Sequence, residues 1–269
     1  IFTSSAQIGE SLGLSASALS WVSSAYTLTF GGFLLLSGRL SDLLGRKRIF
    51  LIGLLIFGFS SLMIGLSKTA EMVIIMRAVQ GIGSSIIAPT TLALIMDAYQ
   101  NNMRQRAISY YGATAGIGSS IGLLVGGGLT SLISWRAGFL INVPFTLVLF
   151  ILTLKYVKSS ARRKETIDYL GSLLSIIGLV GIIYGFTEGI FSFIVVGIIF
   201  IFLFILWERK NSSPILPLAL FQNKIRSGAY ATRLLFMMAM LPFWFFLPQM
   251  MQSQYGFSAL ESGFAFLIL

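Results

Sequence analysis

Long apolar runs, separated by short polar segments, dominate this chain. Each run holds roughly 17 to 26 mainly apolar residues, close to the length that an α-helix needs to cross a bilayer. The runs lack the alternation of apolar and polar residues that is typical of membrane β-strands. The sequence therefore predicts an all-α, polytopic transmembrane helix bundle. Eight complete runs fit the pattern, at residues 18–37, 49–66, 72–96, 107–132, 138–154, 169–186, 190–207 and 228–251.

Composition also indicates a lipid environment. Of the 269 residues, 56% are hydrophobic and only 10% are charged, whereas soluble domains carry about 25% charged residues. The chain has no cysteine and no histidine, which excludes disulfides, zinc-finger sites and histidine-based acid–base catalysis. It also lacks a Walker-type phosphate loop, which argues against ATP-driven pumping. We expect no enzyme activity, no cofactor and no metal.

Basic residues sort to alternate loops. If the runs alternate in direction, fifteen of the 19 Lys and Arg residues fall in one set of loops, and only Lys68 and Arg136 fall in the other. Cytoplasmic loops of membrane proteins are rich in Lys and Arg, so the first set is predicted to be cytoplasmic and residues 1–17 to lie outside. This explains the net charge of +10 without nucleic acid. The first set is Arg39, Arg46, Lys47, Arg48, Arg104, Arg106, Lys155, Lys158, Arg162, Arg163, Lys164, Arg209, Lys210, Lys224 and Arg226.

The acidic residues lie at the ends of the runs rather than inside them. A carboxylate deep in a span is the usual proton carrier of a transporter, so the sequence assigns no proton-carrying acid. The predicted cytoplasmic acids are Asp42, Asp97, Glu165, Asp168 and Glu208, and the predicted outer acids are Glu10, Glu71, Glu188 and Glu261.

Two basic loops divide the chain into three parts. Residues 1–154 predict an N-terminal bundle, residues 155–227 an apolar helix pair with flanking cytoplasmic loops, and residues 228–269 the start of a second bundle. The chain begins with Ile1 rather than Met, and a ninth apolar run starts near Gly263 and stops at the last residue. We therefore expect a piece of a longer protein.

The most distinctive motif lies in the first predicted cytoplasmic loop, residues 38–48. Gly38 and Gly45 allow tight turns and close helix approach, and Asp42 can pair with a guanidinium or cap a helix. The basic residues that follow Arg46 are read as a plain cytoplasmic anchor.

A second motif places Arg77, Gln80 and Gly81 on one helix face, because they are spaced i, i+3 and i+4. An arginine inside a span is costly unless it snorkels to the interface, pairs, or faces water. Either Arg77 snorkels outward, or it places a fixed positive charge in the bundle interior, hydrogen-bonded to Gln80.

A third motif is a stripe of glycines in the run 107–132. Gly118, Gly122 and Gly126 are spaced by four residues, and Gly127 follows. Such a stripe allows two helix backbones to approach closely and to pack through dispersion.

Together these motifs resemble those of the major facilitator superfamily. The pattern Gly38-x-Leu40-x-Asp42-x-x-Gly45-Arg46-Lys47 resembles the family's signature loop between its second and third helices. The resemblance implies that Asp42 and Arg46 act in a cytoplasmic latch that stabilises the outward-facing state, and that Arg77 acts in proton coupling. The stripe resembles the fifth-helix motif of antiporters, but Leu123 stands where that motif has proline, so the kink that the proline would cause is not expected.

The apolar helix pair looks like the pair inserted in the fourteen-helix drug/proton antiporter branch of this family. Under that resemblance, residues 1–154 hold the family's helices two to six. We therefore predict a multi-pass protein of the plasma membrane that exports small lipophilic or cationic compounds in exchange for protons, by alternating access. Its expected partners are small-molecule substrates, protons and the lipid bilayer, with no nucleic acid. The alternatives are a related transporter of an organic anion, metabolite or siderophore, and a membrane scaffold that transports nothing.

Overall fold

The computed structural model describes residues 4–159 and 168–258, together with 261–262 and 264–265. The basic and acidic loop residues predicted at 162–165, and the start of the ninth run at Gly263, lie outside the described residues. Within the described ranges the regular structure is helical, and a short 3-10 helix (Leu218–Phe221) precedes the last long helix. The α-helices are α1 Ser5–Leu12, α2 Ala16–Leu44, α3 Arg46–Gly65, α4 Ala70–Ala98, α5 Asn101–Leu132, α6 Ala137–Leu140, α7 Asn142–Tyr156, α8 Tyr169–Glu188, α9 Phe191–Glu208 and α10 Lys224–Tyr255.

Most of the predicted runs are helices that can cross a membrane. The two remaining runs, 107–132 and 228–251, lie within α5 and α10, which are 32 residues long and contain more polar residues. The predicted all-α polytopic bundle is confirmed. The six helices that are long and apolar enough to span are Ser17–Leu44, Arg46–Gly65, Ala70–Ala98, Ala137–Tyr156, Tyr169–Glu188 and Phe191–Glu208.

The prediction that residues 38–48 form a loop is wrong, because all of them except Gly45 are helical. Helix α2 continues through Leu44, and Gly45 alone connects it to α3, which begins at Arg46. Leucines among the polar residues of this stretch favour the helix. Gly45 has φ 100° and ψ 123°, which a residue with a Cβ rarely adopts, so glycine is required at this joint.

The core of the bundle consists of α2, α3 and α4, which make the most extensive helix contacts of the described chain together with the α8–α9 pair. Glycines on α4 bring the backbones close. A Cβ on Gly83 would lie 2.8 Å from the backbone nitrogen of Phe57 on α3. On α3, a Cβ on Gly53 would lie 2.7 Å from a side-chain carbon of Ile86 on α4. Dispersion between closely packed helices stabilises such a core in lipid.

The outer ends of these helices are closed by an apolar cluster. Ile8 of α1 and Phe139 of α6 are buried against Val22, Ile64 and Val73 of the core helices. Nearby, the Trp135 indole N–H donates to Ser11 Oγ at 2.7 Å, which joins α1 to the turn before α6. The short outer helices therefore lie on the same side of α2, α3 and α4.

Helices α8 and α9 form a tight hairpin. A Cβ on Gly181 would lie 3.1 Å from Gly197 Cα, and one on Gly185 would lie 2.7 Å from the nitrogen of Ile194. Gly189 ends α8 in the left-handed conformation, with φ 69°, as is common for glycine after a helix. The outer face of α9 is strongly apolar and exposed, as expected of a helix that faces lipid.

The hairpin packs on α2. The Trp21 indole of α2 donates to Glu188 Oε1 at 2.5 Å, and its ring centroid lies 5.6 Å from that of Tyr184 on α8. Further along α2, a Cβ on Gly32 would lie 3.3 Å from a methyl carbon of Val180. The contact therefore runs from the outer turn of the hairpin towards the middle of α2.

Helices α5 and α10 are peripheral. Within the described chain, α5 contacts α4 and α6, and the main contact of α10 is with the 3-10 helix that precedes it. Asn223 caps α10 by accepting hydrogen bonds from the backbone N–H groups of Ile225 and Arg226, at 3.0 and 3.1 Å.

Candidate functional site

The cytoplasmic motif joins the ends of three helices. The Arg46 guanidinium donates from Nε and Nη2 to Asp42 Oδ1, at 3.0 and 2.7 Å. Its Nη1 donates to the Ala93 carbonyl at 2.9 Å and to Asp97 Oδ1 at 2.6 Å, both on α4. Arg46 therefore connects the end of α2, the start of α3 and the end of α4. Such charge-assisted bonds are stronger than neutral ones.

The two glycines of this motif serve different local needs. Gly45 forms the one-residue joint described above, and Gly38 lies where α2 meets α4, with its Cβ position 3.9 Å from Pro89 Cβ. Of the neighbouring basic residues, Lys47 donates to the Leu154 carbonyl at 2.9 Å, in the last turn of α7, and Arg48 is exposed. Lys47 thus makes a specific contact that the anchor interpretation did not predict.

The second motif forms a buried polar network. Arg77 is only 4% exposed, so its guanidinium lies in the helix bundle rather than snorkelling to the surface. Its Nε donates to the Val22 carbonyl of α2 at 2.8 Å, and its Nη1 donates to Gln80 Oε1 at 2.6 Å. Gln80 in turn donates to Ser61 Oγ of α3 at 2.6 Å. The network therefore connects all three core helices.

Aromatic faces supply the rest of the environment of Arg77. Its guanidinium carbon lies 4.2 Å from the ring centroid of Tyr26 and 6.0 Å from that of Phe139. In the described part of the chain no carboxylate forms an ion pair with Arg77. A cation over an aromatic face is attracted by about 0.5–2 kcal/mol, more when it is desolvated. Tyr26 and the neutral hydrogen-bond acceptors thus take the place that a carboxylate usually holds.

Gly81 is where α4 approaches α2 most closely. A Cβ at this position would overlap Thr29 Oγ1 and the Tyr26 carbonyl and would lie 3.1 Å from the backbone nitrogen of Phe30. The Thr29 hydroxyl also donates to the Ala78 carbonyl at 2.7 Å, one turn away. This approach sets the position of α2, and hence of Tyr26, relative to Arg77.

Two glycines of the α5 stripe, Gly118 and Gly122, do not contact another helix in the described residues. A Cβ on Gly118 or Gly122 would meet no atom within 4 Å, and both residues are exposed. The close helix packing predicted for the stripe is therefore absent there, because α5 uses other positions to contact α4 and α6. Gly126 and Gly127 continue the same helix, which is unbroken from Asn101 to Leu132.

Several site residues were missed by the sequence analysis. Asp97, Tyr26 and Ser61 complete the two networks, yet no short-range motif singles them out. A signal existed for Asp97, because it is an acid among the predicted cytoplasmic basic residues. Ser61 is a polar residue in the middle of an apolar span, which is itself typical of a buried hydrogen-bonding role.

Comparison with known proteins gives a consistent result. The family model described as Major Facilitator Superfamily matches residues 1–269. The chain is 35% identical over 273 residues to the puromycin resistance protein pur8 of Streptomyces alboniger, covering 97% of this chain and 54% of that protein. It is 33% identical to multidrug resistance protein 3 of Bacillus subtilis (strain 168), covering 91% and 50%. It is 31% identical to the lincomycin resistance protein of Streptomyces lincolnensis, covering 97% and 56%. The chain thus spans about half the length of the curated relatives it matches.

Proposed function

This chain belongs to the major facilitator superfamily and is an integral, multi-pass protein of the cell membrane, and from this premise we propose that it exports small lipophilic or cationic compounds in exchange for protons. The export would proceed by alternating access. The names of the relatives, which include resistance to puromycin and lincomycin and multidrug resistance, support this substrate class.

The observation that carries the proposal is the burial of Arg77 without an ion-pair partner among the described residues. Its charge is held by Gln80, by the Val22 carbonyl and by the Tyr26 ring. A fixed positive charge in a medium of low dielectric favours the ionised form of any carboxyl that comes near it. When the helices move, the distance between Arg77 and such a carboxyl changes, and the affinity of the carboxyl for a proton changes with it. This is a physical basis for coupling proton binding to conformation.

The Asp42–Arg46 pair is proposed as the cytoplasmic latch, with Gly38 and Gly45 allowing its geometry. Arg46 holds the ends of α2, α3 and α4 together through Asp42, Asp97 and a backbone carbonyl. Because the pair is partly shielded from water, its attraction is screened less than that of a fully exposed pair. Breaking it would favour opening towards the cytoplasm.

The stripe at Gly118, Gly122, Gly126 and Gly127, of which Gly118 and Gly122 are exposed, is proposed to pack against a helix of the remaining bundle, as antiporter-type stripes do. We also propose the division into an N-terminal bundle (1–154), an inserted pair (155–227) and the start of a second bundle (228–269). The peripheral position of α10 supports the last boundary.

An organic anion is the second candidate substrate. It is favoured by the positive charge of Arg77, for which the described residues offer no carboxylate. An anionic substrate would supply the opposite charge directly, whereas a lipophilic cation would be repelled by it.

The test is transport by the full-length protein in proteoliposomes. We expect an outward flux of a lipophilic cation that depends on a proton gradient and that moves protons in the opposite direction, recorded with a trapped pH dye. Arg77→Gln should abolish the coupling, and Arg77→Lys, which keeps the charge but loses the forked hydrogen bonds, should retain part of it. The matched controls are Arg48→Gln and Arg48→Lys, because Arg48 is exposed on α3.

Flux of the cation without proton movement, or full coupling in Arg77→Gln, would refute the proposal. Transport of organic anions alone would favour the second candidate. If no substrate moves although the protein is monodisperse, a scaffold function is favoured instead.

A further inference from the structure

Two buried carboxyl groups meet at the cytoplasmic base of the α8–α9 hairpin. Asp168 is the N-cap of α8, and Glu208 is the last residue of α9. The exposed fractions of these residues are 6% and 3%. Acidic residues are almost never this buried unless they are paired or protonated. Neither residue belongs to the networks around Arg46 and Arg77.

The two carboxyl groups converge on one point. A Cβ added to Gly171 would overlap Asp168 Oδ2 and would lie 2.7 Å from Glu208 Oε1. Asp168 Oδ1 accepts hydrogen bonds from the backbone N–H of Gly171 and from the indole of Trp207, both at 2.9 Å. Two ionised carboxylates that both border the same Cβ position would repel each other strongly, and this repulsion favours neutralisation of one of them.

The donors are divided unequally between the two groups. Glu208 Oε2 accepts the backbone N–H of Leu216 at 2.7 Å, but its Oε1 is buried and receives no donor from the described residues. Asp168 also lies at the N-terminus of a helix, where a negative charge is stabilised, whereas Glu208 lies at a C-terminus, where it is destabilised. Both comparisons favour the charge on Asp168 and the neutral form on Glu208.

Cations do not neutralise the pair in the described part of the chain. Arg209 and Lys210 follow Glu208 but are exposed, and α2, which packs on the hairpin, carries Arg39 and Asp42 near its cytoplasmic end. Neither Arg209 nor Lys210 forms an ion pair with Asp168 or Glu208. Burial opposes the ionisation of Asp168, but hydrogen bonds from Gly171, Trp207 and the Glu208 carboxyl, among others, together hold its pKa below the ordinary value.

We propose that Asp168 and Glu208 form a proton-binding site, in which one proton on Glu208 Oε1 is donated in a hydrogen bond to Asp168 Oδ2. The ligand is a proton from the cytoplasmic side, and its release to water leaves two adjacent carboxylates. The shared proton joins the start of α8 to the end of α9. The Glu208 carboxyl also accepts the Leu216 N–H, which holds the segment that leads to α10. This site is separate from the proposed coupling charge at Arg77, and its test does not depend on transport.

Infrared spectroscopy of the full-length protein in lipid nanodiscs tests for the proton directly. At neutral pH we expect the carbonyl stretch of a protonated carboxylic acid, and we expect Glu208→Gln to remove it. Gly171→Ala places a methyl group between the carboxyls and should weaken or shift this band even if Glu208→Gln folds poorly. The matched control Glu10→Gln changes an exposed glutamate and should leave the band unchanged.

Thermal unfolding provides the second measurement. A carboxyl that stays protonated only in the folded state makes stability fall as pH rises above the ordinary glutamate value of about 4.3, by up to about tenfold in the folding equilibrium per pH unit for one proton. The thermal midpoint of the wild type should therefore decrease as the pH is raised from about 5 to about 8. The midpoint of Glu208→Gln should stay constant over this range and should be higher than that of the wild type at about pH 8. Glu10→Gln should follow the wild type.

Three results would overturn the proposal. The first is a wild type without the band at neutral pH, or a band that Glu208→Gln does not remove. The second is a Glu208→Gln protein less stable than the wild type at every pH, because that result indicates an ionised Glu208 paired with a basic residue. The third is a midpoint that depends on sodium or potassium concentration at fixed pH, which indicates a bound metal cation instead of a proton.

Discussion

Replacing Gly81 by alanine tests how α4 meets α2. The added Cβ would overlap Thr29 Oγ1 and the Tyr26 carbonyl, and one of these atoms belongs to the backbone. Forcing a methyl group into a packed core costs about 1–3 kcal/mol. Losing the Thr29 hydrogen bond to Ala78 costs about 0.5–1.5 kcal/mol more, and the better helix propensity of alanine returns about 1 kcal/mol. The free energy of unfolding should therefore fall by about 0.5–3.5 kcal/mol.

The control is Gly112→Ala on α5, outside the glycine stripe, where the new Cβ meets open space. There only the helix propensity changes, so stability should stay equal or rise by up to about 1 kcal/mol. A loss of 1 kcal/mol lowers the midpoint by about 2–4 °C in chains of about 150–250 residues and by less in longer ones, so Gly81→Ala should lower the thermal midpoint of the full-length protein by less than about 14 °C. Intrinsic fluorescence during heating in detergent measures both variants.

A second comparison separates steric overlap from a general loss of glycine. Adding Thr29→Ala to Gly81→Ala removes the side-chain overlap but leaves the Tyr26 carbonyl in place. We therefore expect only partial recovery of the midpoint. Equal midpoints for Gly81→Ala and Gly112→Ala, or full recovery in the double variant, would contradict the packing described here.

The remaining predictions concern the cytoplasmic ends of the helices. Asp42→Asn should reduce transport more than Asp97→Asn. Arg46 donates two hydrogen bonds to Asp42 but only one to Asp97, whose side chain is 44% exposed. Similar transport rates of the two variants in proteoliposomes would argue against that ranking. Lys47→Met should speed hydrogen exchange in the last turn of α7 and lower stability by about 1 kcal/mol through the loss of its hydrogen bond. The exposed Arg48→Met is its control, and equal exchange in the two variants would show that the Lys47 contact does not matter.

The spans and the hairpin were predictable because their signals are local. The length of an apolar run decides whether a helix can cross lipid. The turn between Glu188 and Phe191 is so short that α8 and α9 must lie side by side as an antiparallel pair. The pairing of Asp42 and Arg46 was expected from the family resemblance; its i, i+4 spacing belongs to a helix, whereas this stretch was predicted to be a loop. The extension of α2 to Leu44 was missed because charges in a short connection indicate a loop, although such residues also form helices readily.

Long-range partners were not predictable from the sequence. Asp97 reaches Arg46, and Ser61 reaches Gln80, only because three helices pack side by side. Their partners lie 51 and 19 residues away in the chain. The face of the α5 stripe was missed for the same kind of reason. A glycine pattern indicates that close packing is possible, but which helix occupies the space depends on the whole arrangement.

The one-residue joint at Gly45 limits how the cytoplasmic side can move. Helices α2 and α3 share an end with no slack between them, and Arg46 attaches α4 to the same point. A displacement of the end of α2 must therefore carry the start of α3 with it, and α4 follows as long as Arg46 keeps its bonds to α4. Spectroscopic labels placed across α2 and α3 near this joint would record a constant distance throughout a cycle. These 269 residues contain no cysteine, so this part of the protein adds no background to labels at chosen pairs of positions, and the constant pair would serve as an internal ruler.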